Sequence, residues 1–206
     1  LKYFFYFCHK ILYSCSGNKK FFMFYGVPIS KLEYIPCAVN NDFFQEKANE
    51  LLESKHKIKE DIGINENDLV LAMCCSFTRR KRPLDLIEAV KNLDCKKNIF
   101  LLFIGDGPER PLIESSLKNT EIRYYITGFL GQNDISKYYL VTDISFILSD
   151  YDPSPKALNE AMNFSNCVVS TRDVGTSNDL IKSNINGFII ETGDIDRLGN
   201  IIVEME

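Results

Sequence analysis

From Leu69 to the end of the chain, short apolar runs alternate with helical patterns, and no other feature restricts the fold as much. The runs are LVLAMCCSF (69–77), NIFLLFIG (98–105), IRYYITGF (122–129), DISFILS (143–149), CVVST (167–171) and GFIIET (187–192). Each has the length of a strand. The first is continuously apolar, as expected of a strand covered on both faces. Between them, RPLDLIEAVKNL (82–93) carries Leu84, Ile87, Ala89, Val90 and Leu93 at helical spacing. Further helices are expected in RPLIESSLKN (110–119), in NDISKYYLVT (133–142) capped by Asn133 or Asp134, after Ser154–Pro155, in TSNDLIKSN (176–184) and in DIDRLGNIIVEM (194–205).

Strands and helices alternating over short links predict βαβ units. The fold class over residues 67–206 is therefore α/β, a Rossmann-like parallel sheet with helices on both faces. Residues 1–66 differ: short apolar runs, a turn at YGVP (25–28), a strand inside KLEYIPCAV (31–39), and a charged run from Phe43 to Lys59 that reads as a solvated connecting helix. Ligands of such sheets bind outside the carboxyl ends of the strands. Candidate residues are therefore sought in the strand-to-helix loops 76–82, 105–110, 128–134, 149–156 and 171–177.

A net charge of −4 gives nucleic-acid binding no support, so the basic stretch SFTRRKRP (76–83) needs another account. It is either a solvated turn or a seat for a small polyanion, most naturally a diphosphate. Seven cysteines (8, 15, 37, 74, 75, 95, 167) form no C-x-x-C pair, and the two histidines, His9 and His56, lie far apart. Reduced, buried thiols in a cytoplasmic protein are expected, not a disulfide framework or a zinc site. No run approaches the length of an apolar membrane span.

IGDGPER (104–110) lacks the third glycine of a dinucleotide fingerprint, so Gly105-x-Gly107 reads first as a tight turn where the backbone passes close to a neighbour. Phe129 in TGF has core packing as its default and stacking on a flat base as the functional option. SDYDPSPKALNEAM (149–162) is more specific. Ser154 is placed to cap a helix with Pro155 at its first position, Asp152 precedes that start, and Glu160 stands about one and a half turns above it. A helix start favours an anion. Glu160 also sits among the apolar positions of ALNEAM, where a casual surface acid is less expected.

KRPLDLIEAV, FIGDGPER, TGF, DISFILSDYDPSPKALNEAM, VGTSNDLI, NGFII and TGD occur in one order with ordinary gaps. This run resembles the C-terminal, donor-binding domain of the family 4 retaining glycosyltransferases, the C-terminal half of a GT-B fold. GVPISKLEYIPCAVNNDFF (26–44) is similar to the segment that precedes that domain. The resemblance implies that Asp152 and Glu160 stand at the two acids of the family's E-x7-E motif. Glu160 would then hold the ribose hydroxyls and Asp152 would lie against the donor sugar. Ser154, Lys156 and Ala157 would offer donors to the diphosphate at the helix start, and Lys81 would neutralise that diphosphate as it leaves, with Arg79 or Arg80 open as a second cation. Gly105 and Phe129 join this set as binding positions on their loops. The chain departs from the family with Asp152 in place of the usual Glu, Pro155 where Gly is common, and Ser76 where a second basic residue usually stands.

The same resemblance implies a UDP- or GDP-linked sugar as substrate, with no resident cofactor. It implies no metal, since no Asp-x-Asp appears in a suitable context and cations take that part. The acceptor would be a glycan or lipid-linked glycan of the cell envelope, bound by an N-terminal domain of which residues 1–66 are a remnant with the interdomain connection. A cytoplasmic enzyme, peripherally associated with the inner face of the membrane when full length, follows by the same route. The alternatives are a nucleotide-sugar-binding module without activity, or another GT-B enzyme such as a phosphorylase or epimerase.

Overall fold

The computed structural model describes residues 1–93 and 98–206, and Cys95 therefore lies outside the described residues. The first part of the chain runs through α1 (Lys2–Phe7), β1 (Ile11–Tyr13), α2 (Ser16–Phe24), β2 (Leu32–Tyr34), α3 (Asn41–Leu51) and α4 (Lys55–Asp61). β1 and β2 pair in parallel, and Phe5, Ile11 and Val27 form a small core beside them. The run from Phe43 to Lys59 is not one solvated helix. It is broken by a turn of 3₁₀-helix at Leu52–Ser54, and Phe44 is fully buried against the main domain. Phe43, Ala48 and Leu51 pack against the same cluster, so a short apolar stripe on a charged helix docks it.

The rest alternates as the sequence predicts: β3 (Leu69–Cys74), α5 (Pro83–Lys91), β4 (Ile99–Ile104), α6 (Arg110–Leu117), β5 (Arg123–Ile126), α7 (Gln132–Leu140), β6 (Ile144–Ile147), α8 (Lys156–Met162), β7 (Cys167–Thr171), α9 (Ser177–Leu180), β8 (Gly187–Ile190) and α10 (Ile195–Glu204). The six strands β3 to β8 form one parallel sheet in the order β5-β4-β3-β6-β7-β8. Side chains alternate across it. Leu69, Leu71 and Met73 of β3 meet α5, α6 and α10 through Ile87, Ile113 and Ile201, whereas Val70 and Ala72 face the layer holding Tyr138 and Val141. α7, α8 and the docked α3 cover the second face through Tyr139, Leu158 and Phe44. Two-sided burial explains why β3 and β4 are continuous apolar runs, whereas the edge strand β5 is half exposed.

Three boundaries differ from the sequence expectation. α7 starts at Gln132 with Gly131 as its N-cap, so neither Asn133 nor Asp134 caps it. α9 is a single turn, because Ile181 leaves it in an extended conformation. α8 starts at Lys156 with Pro155 as N-cap, and Ser154 makes no capping bond. Pro155 has ψ 122°, outside the helical range, which moves the helix start one residue on.

Strand order reverses between β3 and β6. The chain builds outward from β3 to β5, then returns to pair β6 with β3. In an open parallel sheet the loops flanking that reversal form the ligand crevice. Here they are 75–82 and 148–155.

Candidate nucleotide-sugar site

These two loops are tied together. The Asp150 amide donates to the Arg80 carbonyl at 2.9 Å, and the Arg80 guanidinium donates to the Tyr151 carbonyl. Lys81 Nζ forms an ion pair with Asp152 Oδ2, both side chains being nearly buried. Arg82 binds Asp85 through Nε at 2.6 Å and Asp150 through Nη1 at 3.0 Å. Arg82 adopts a left-handed backbone, φ 50°, directly before Pro83 at the start of α5. That conformation costs a non-glycine residue of order 1–2 kcal/mol, and its two carboxylate partners help to hold it. The basic stretch is thus not a bare cationic patch. Of its four cations only Arg79 has no acidic or carbonyl partner among the described residues.

Asp152 is also fixed from the other side. Its carbonyl accepts from the Gly175 amide at 2.7 Å, and its own amide donates to the Asp173 carbonyl at 3.4 Å. Gly175 is required here, since a Cβ would stand 2.5 Å from the Pro153 carbonyl and 2.9 Å from Cys15 Sγ. Cys15 itself donates to the Pro153 carbonyl at 3.1 Å, which brings the N-terminal segment against the 148–155 loop. Asp150-Tyr151-Asp152 has the letters of an Asp-x-Asp motif, but each carboxylate faces a cation of the 80–82 loop.

Glu160 projects from α8 beside a cavity of about 280 Å³ lined by Ala38, Asn40, Leu130, Gln132, Ile135 and Lys156. The Tyr139 hydroxyl donates to Glu160 Oε2 at 3.0 Å. Burial raises the Glu160 pKa above the ordinary glutamate value of 4.5, opposed by the Tyr139 bond and by Lys156. Glu160 is accordingly neither a free surface acid nor a sealed one. Lys156 is exposed on the rim of the same cavity, and Ala157 follows it in the first turn, where backbone amides point out of the helix. Ser154 and Pro155 line a smaller cavity of about 60 Å³ with Ser14, Cys37 and Thr176. The buried hydroxyls of Thr78, Ser149 and Thr176 find no partner among the described residues, and all three lie in loops at this carboxyl edge. Buried polar atoms are rarely left so.

Two expected positions behave differently. Gly105 is a packing residue: its amide donates to Thr127 Oγ1 at 3.2 Å, and a Cβ there would stand 2.0 Å from the Cys75 carbonyl. Gly107 is pressed on Phe77 in the same way, so the GDG turn brings two backbones together and offers no open amide at Gly105. Phe129 is 73 % exposed, which removes its default place in the core and leaves a ring free at the carboxyl edge. The thiols are also less uniform than expected. Cys15 is buried, Cys8, Cys74, Cys75 and Cys167 are half-buried, and Cys37 is exposed.

With the crevice and its acids in place, comparison with known proteins becomes decisive. The family model described as "Glycosyl transferases group 1" matches residues 54–206. The chain belongs to the group 1 glycosyl transferases. It is 27% identical over 150 residues to the N-acetyl-alpha-D-glucosaminyl L-malate synthase of Bacillus anthracis, covering 72% of this chain and 39% of that protein. It is 28% identical over 184 residues to an Escherichia coli UDP-Gal:alpha-D-GlcNAc-diphosphoundecaprenol alpha-1,3-galactosyltransferase, covering 85% and 45%. Among solved structures, a glycosyltransferase from Rickettsia africae superposes with a TM-score of 0.82 at 22% identity, over 95% of this chain and 52% of that one. Anabaena HepE, crystallised with UDP, does so at 0.75 and 18%, over 94% and 53%. These structural likenesses are to GT-B glycosyltransferases and concern the fold. The chain spans about half the length of these relatives, or less.

Tyr139 and Arg82 were not singled out in the sequence. Tyr139 reads as one more apolar position of a helix, and only the packing of α7 on α8 shows its hydroxyl facing an acid. Arg82 was seen only as one charge among four.

Proposed function

We propose that this chain is the nucleotide-sugar-binding half of a retaining, family 4 glycosyltransferase. The observation that carries this is the Lys81–Asp152 ion pair that ties two loops at the reversal of strand order, with Glu160 at a cavity wall on α8, the helix that the second loop leads into. A UDP- or GDP-sugar would lie along that edge. Its ribose would meet Glu160, its diphosphate Lys81, Lys156 and the first amides of α8, and its sugar Asp152. UDP is the first nucleotide to test, since the Escherichia coli relative is named for UDP-Gal and the Anabaena protein was crystallised with UDP.

In the reaction the bond from the anomeric carbon to the diphosphate breaks on one face, and the acceptor oxygen forms its bond on that same face. The leaving diphosphate takes the acceptor's proton. Lys81 shifts from Asp152 toward the departing phosphate charge, a preorganised cation where charge develops. Asp152, held through its backbone by 173–175, orients the sugar. The rest is positioning.

The acceptor, a glycan or lipid-linked glycan, would be bound by a second domain, of which residues 1–66 are the remnant and connection, in a cytoplasmic enzyme working at the membrane face. Exposed Tyr3, Phe4, Tyr6, Phe7 and Phe24 fit an apolar surface that such a domain covers. A binding module without transfer activity is the second reading. A thermal-shift screen of UDP- and GDP-sugars, followed by a transfer assay, tests both. Stabilisation without transfer is expected of this chain by itself. Absence of stabilisation by every nucleotide-sugar would overturn the donor-site proposal, and robust transfer would overturn the half-enzyme proposal.

A further inference from the structure

We infer that Tyr139 is a positioning residue, holding the Glu160 carboxylate in the orientation that receives a ribose; this rests on the role proposed for Glu160 above. Tyr139 lies in α7 and is 1% exposed, stacked on Phe164 at 5.6 Å and 27° and packed in the cluster of Phe44, Leu158 and Ala161. Its ring is therefore fixed, and with it the position of the phenol oxygen. That hydroxyl donates to Glu160 Oε2 on a different helix, at 3.0 Å. A buried phenol in an apolar cluster could have found a backbone carbonyl, the commonest partner of side-chain donors. Here it meets a half-buried carboxylate at the cavity wall.

The consequence for binding is entropic and geometric. A free glutamate loses side-chain freedom when it grips a ligand. Glu160 is already anchored by one oxygen, while Oε1 accepts no hydrogen bond among the described residues. Anchoring before binding lowers the ordering cost that a ligand must meet. The groups facing Glu160 are the Tyr139 hydroxyl from α7, the Cys74 thiol from β3 and Lys156 from its own helix. Burial raises the Glu160 pKa and the Tyr139 bond lowers it. Loss of that bond alone must raise it further.

The experiment pairs UDP titrations of the wild type, Tyr139→Phe, Glu160→Gln and the double variant with a carbon-13 NMR titration of the Glu160 carboxyl in the unliganded protein. Tyr139→Phe should weaken UDP roughly three- to tenfold. It should leave inorganic pyrophosphate unaffected, raise the Glu160 midpoint, and add no loss to that of Glu160→Gln. Where Tyr139→Phe does not fold, 3-fluorotyrosine at position 139 keeps the ring, strengthens the donor and should lower the midpoint instead. A Glu160→Gln loss together with an unaltered Tyr139→Phe affinity and midpoint overturns the role of Tyr139 alone. Equal losses for UDP and pyrophosphate in Tyr139→Phe mean a structural role only and overturn it too. An unaltered UDP affinity in Glu160→Gln overturns the Glu160 role and this inference together.

Discussion

Replacing Lys81 by Met should injure the fold and the diphosphate site by separable amounts. The Lys81 and Asp152 side chains keep only 13% and 12% of their exposure. Met preserves the aliphatic stem and removes the charge, leaving the Asp152 carboxylate without its cation. Removing one partner of a fully buried pair costs about 3–5 kcal/mol. This pair lies at a loop edge that water can reach, so about 1–3 kcal/mol is expected, which lowers Tm by roughly 3–10 °C for a domain of this size. Urea unfolding of the wild type, Lys81→Met, Asp152→Asn and the double variant measures it. The double variant should recover most of the loss, because no unpaired charge remains. Binding should move differently. Lys81→Met should weaken UDP by about 1.5–3 kcal/mol, ten- to more than a hundredfold, through the lost charge-assisted bond. Asp152→Asn, which releases Lys81 from its internal partner, should tighten inorganic pyrophosphate. A stability loss below about 0.5 kcal/mol in Lys81→Met would refute the pairing as a structural tie. Weaker pyrophosphate binding in Asp152→Asn would refute the competition between Asp152 and the diphosphate.

Gly105→Ala should destabilise by at least about 2 kcal/mol or prevent folding, since its Cβ would meet the Cys75 carbonyl at 2.0 Å and its φ is 135°; circular dichroism melts test this. An acid whose folded pKa is raised loses stability as pH climbs from its unfolded value through its folded one. The stability of Glu160→Gln relative to wild type should therefore rise between pH 4.5 and the raised folded value, as chemical denaturation at stepped pH would read. Cys37 should be alkylated well before Cys74 and Cys75 at pH 8, because it is exposed while burial pushes those two thiols to about 12 and about 11. Peptide mass mapping over time gives the order.

The strands and helices of residues 67–206 were legible because the two-sided burial of β3 and β4 writes itself as uninterrupted apolar runs, and a helix between successive strands points to a parallel sheet. The 148–155 loop stood out as a candidate site because SDYDPSPKALNEAM places acids around a helix start in an otherwise apolar context. The start itself was missed by one residue: Ser154 has the right chemistry for a cap, but the extended ψ of Pro155 decides the geometry. The burial of Phe44 was missed because the pair Phe43–Phe44 in a charged helix does not show in sequence which ring faces a neighbour. At Gly105 the structure shows a steric need for glycine, which in sequence looks like a ligand's need for it. The pairing of Lys81 with Asp152, seventy-one residues apart, depends on the adjacency of β3 and β6, which no local pattern encodes.

The central claim, a nucleotide-sugar site built from cations, backbone amides and Glu160, is tested most directly by calorimetric titration of UDP and GDP into the chain with EDTA present. Binding of at least one nucleotide, unaltered by EDTA and weakened more than tenfold by Glu160→Gln, is the predicted result. No binding of either, or binding that appears only on adding magnesium or manganese, would contradict it.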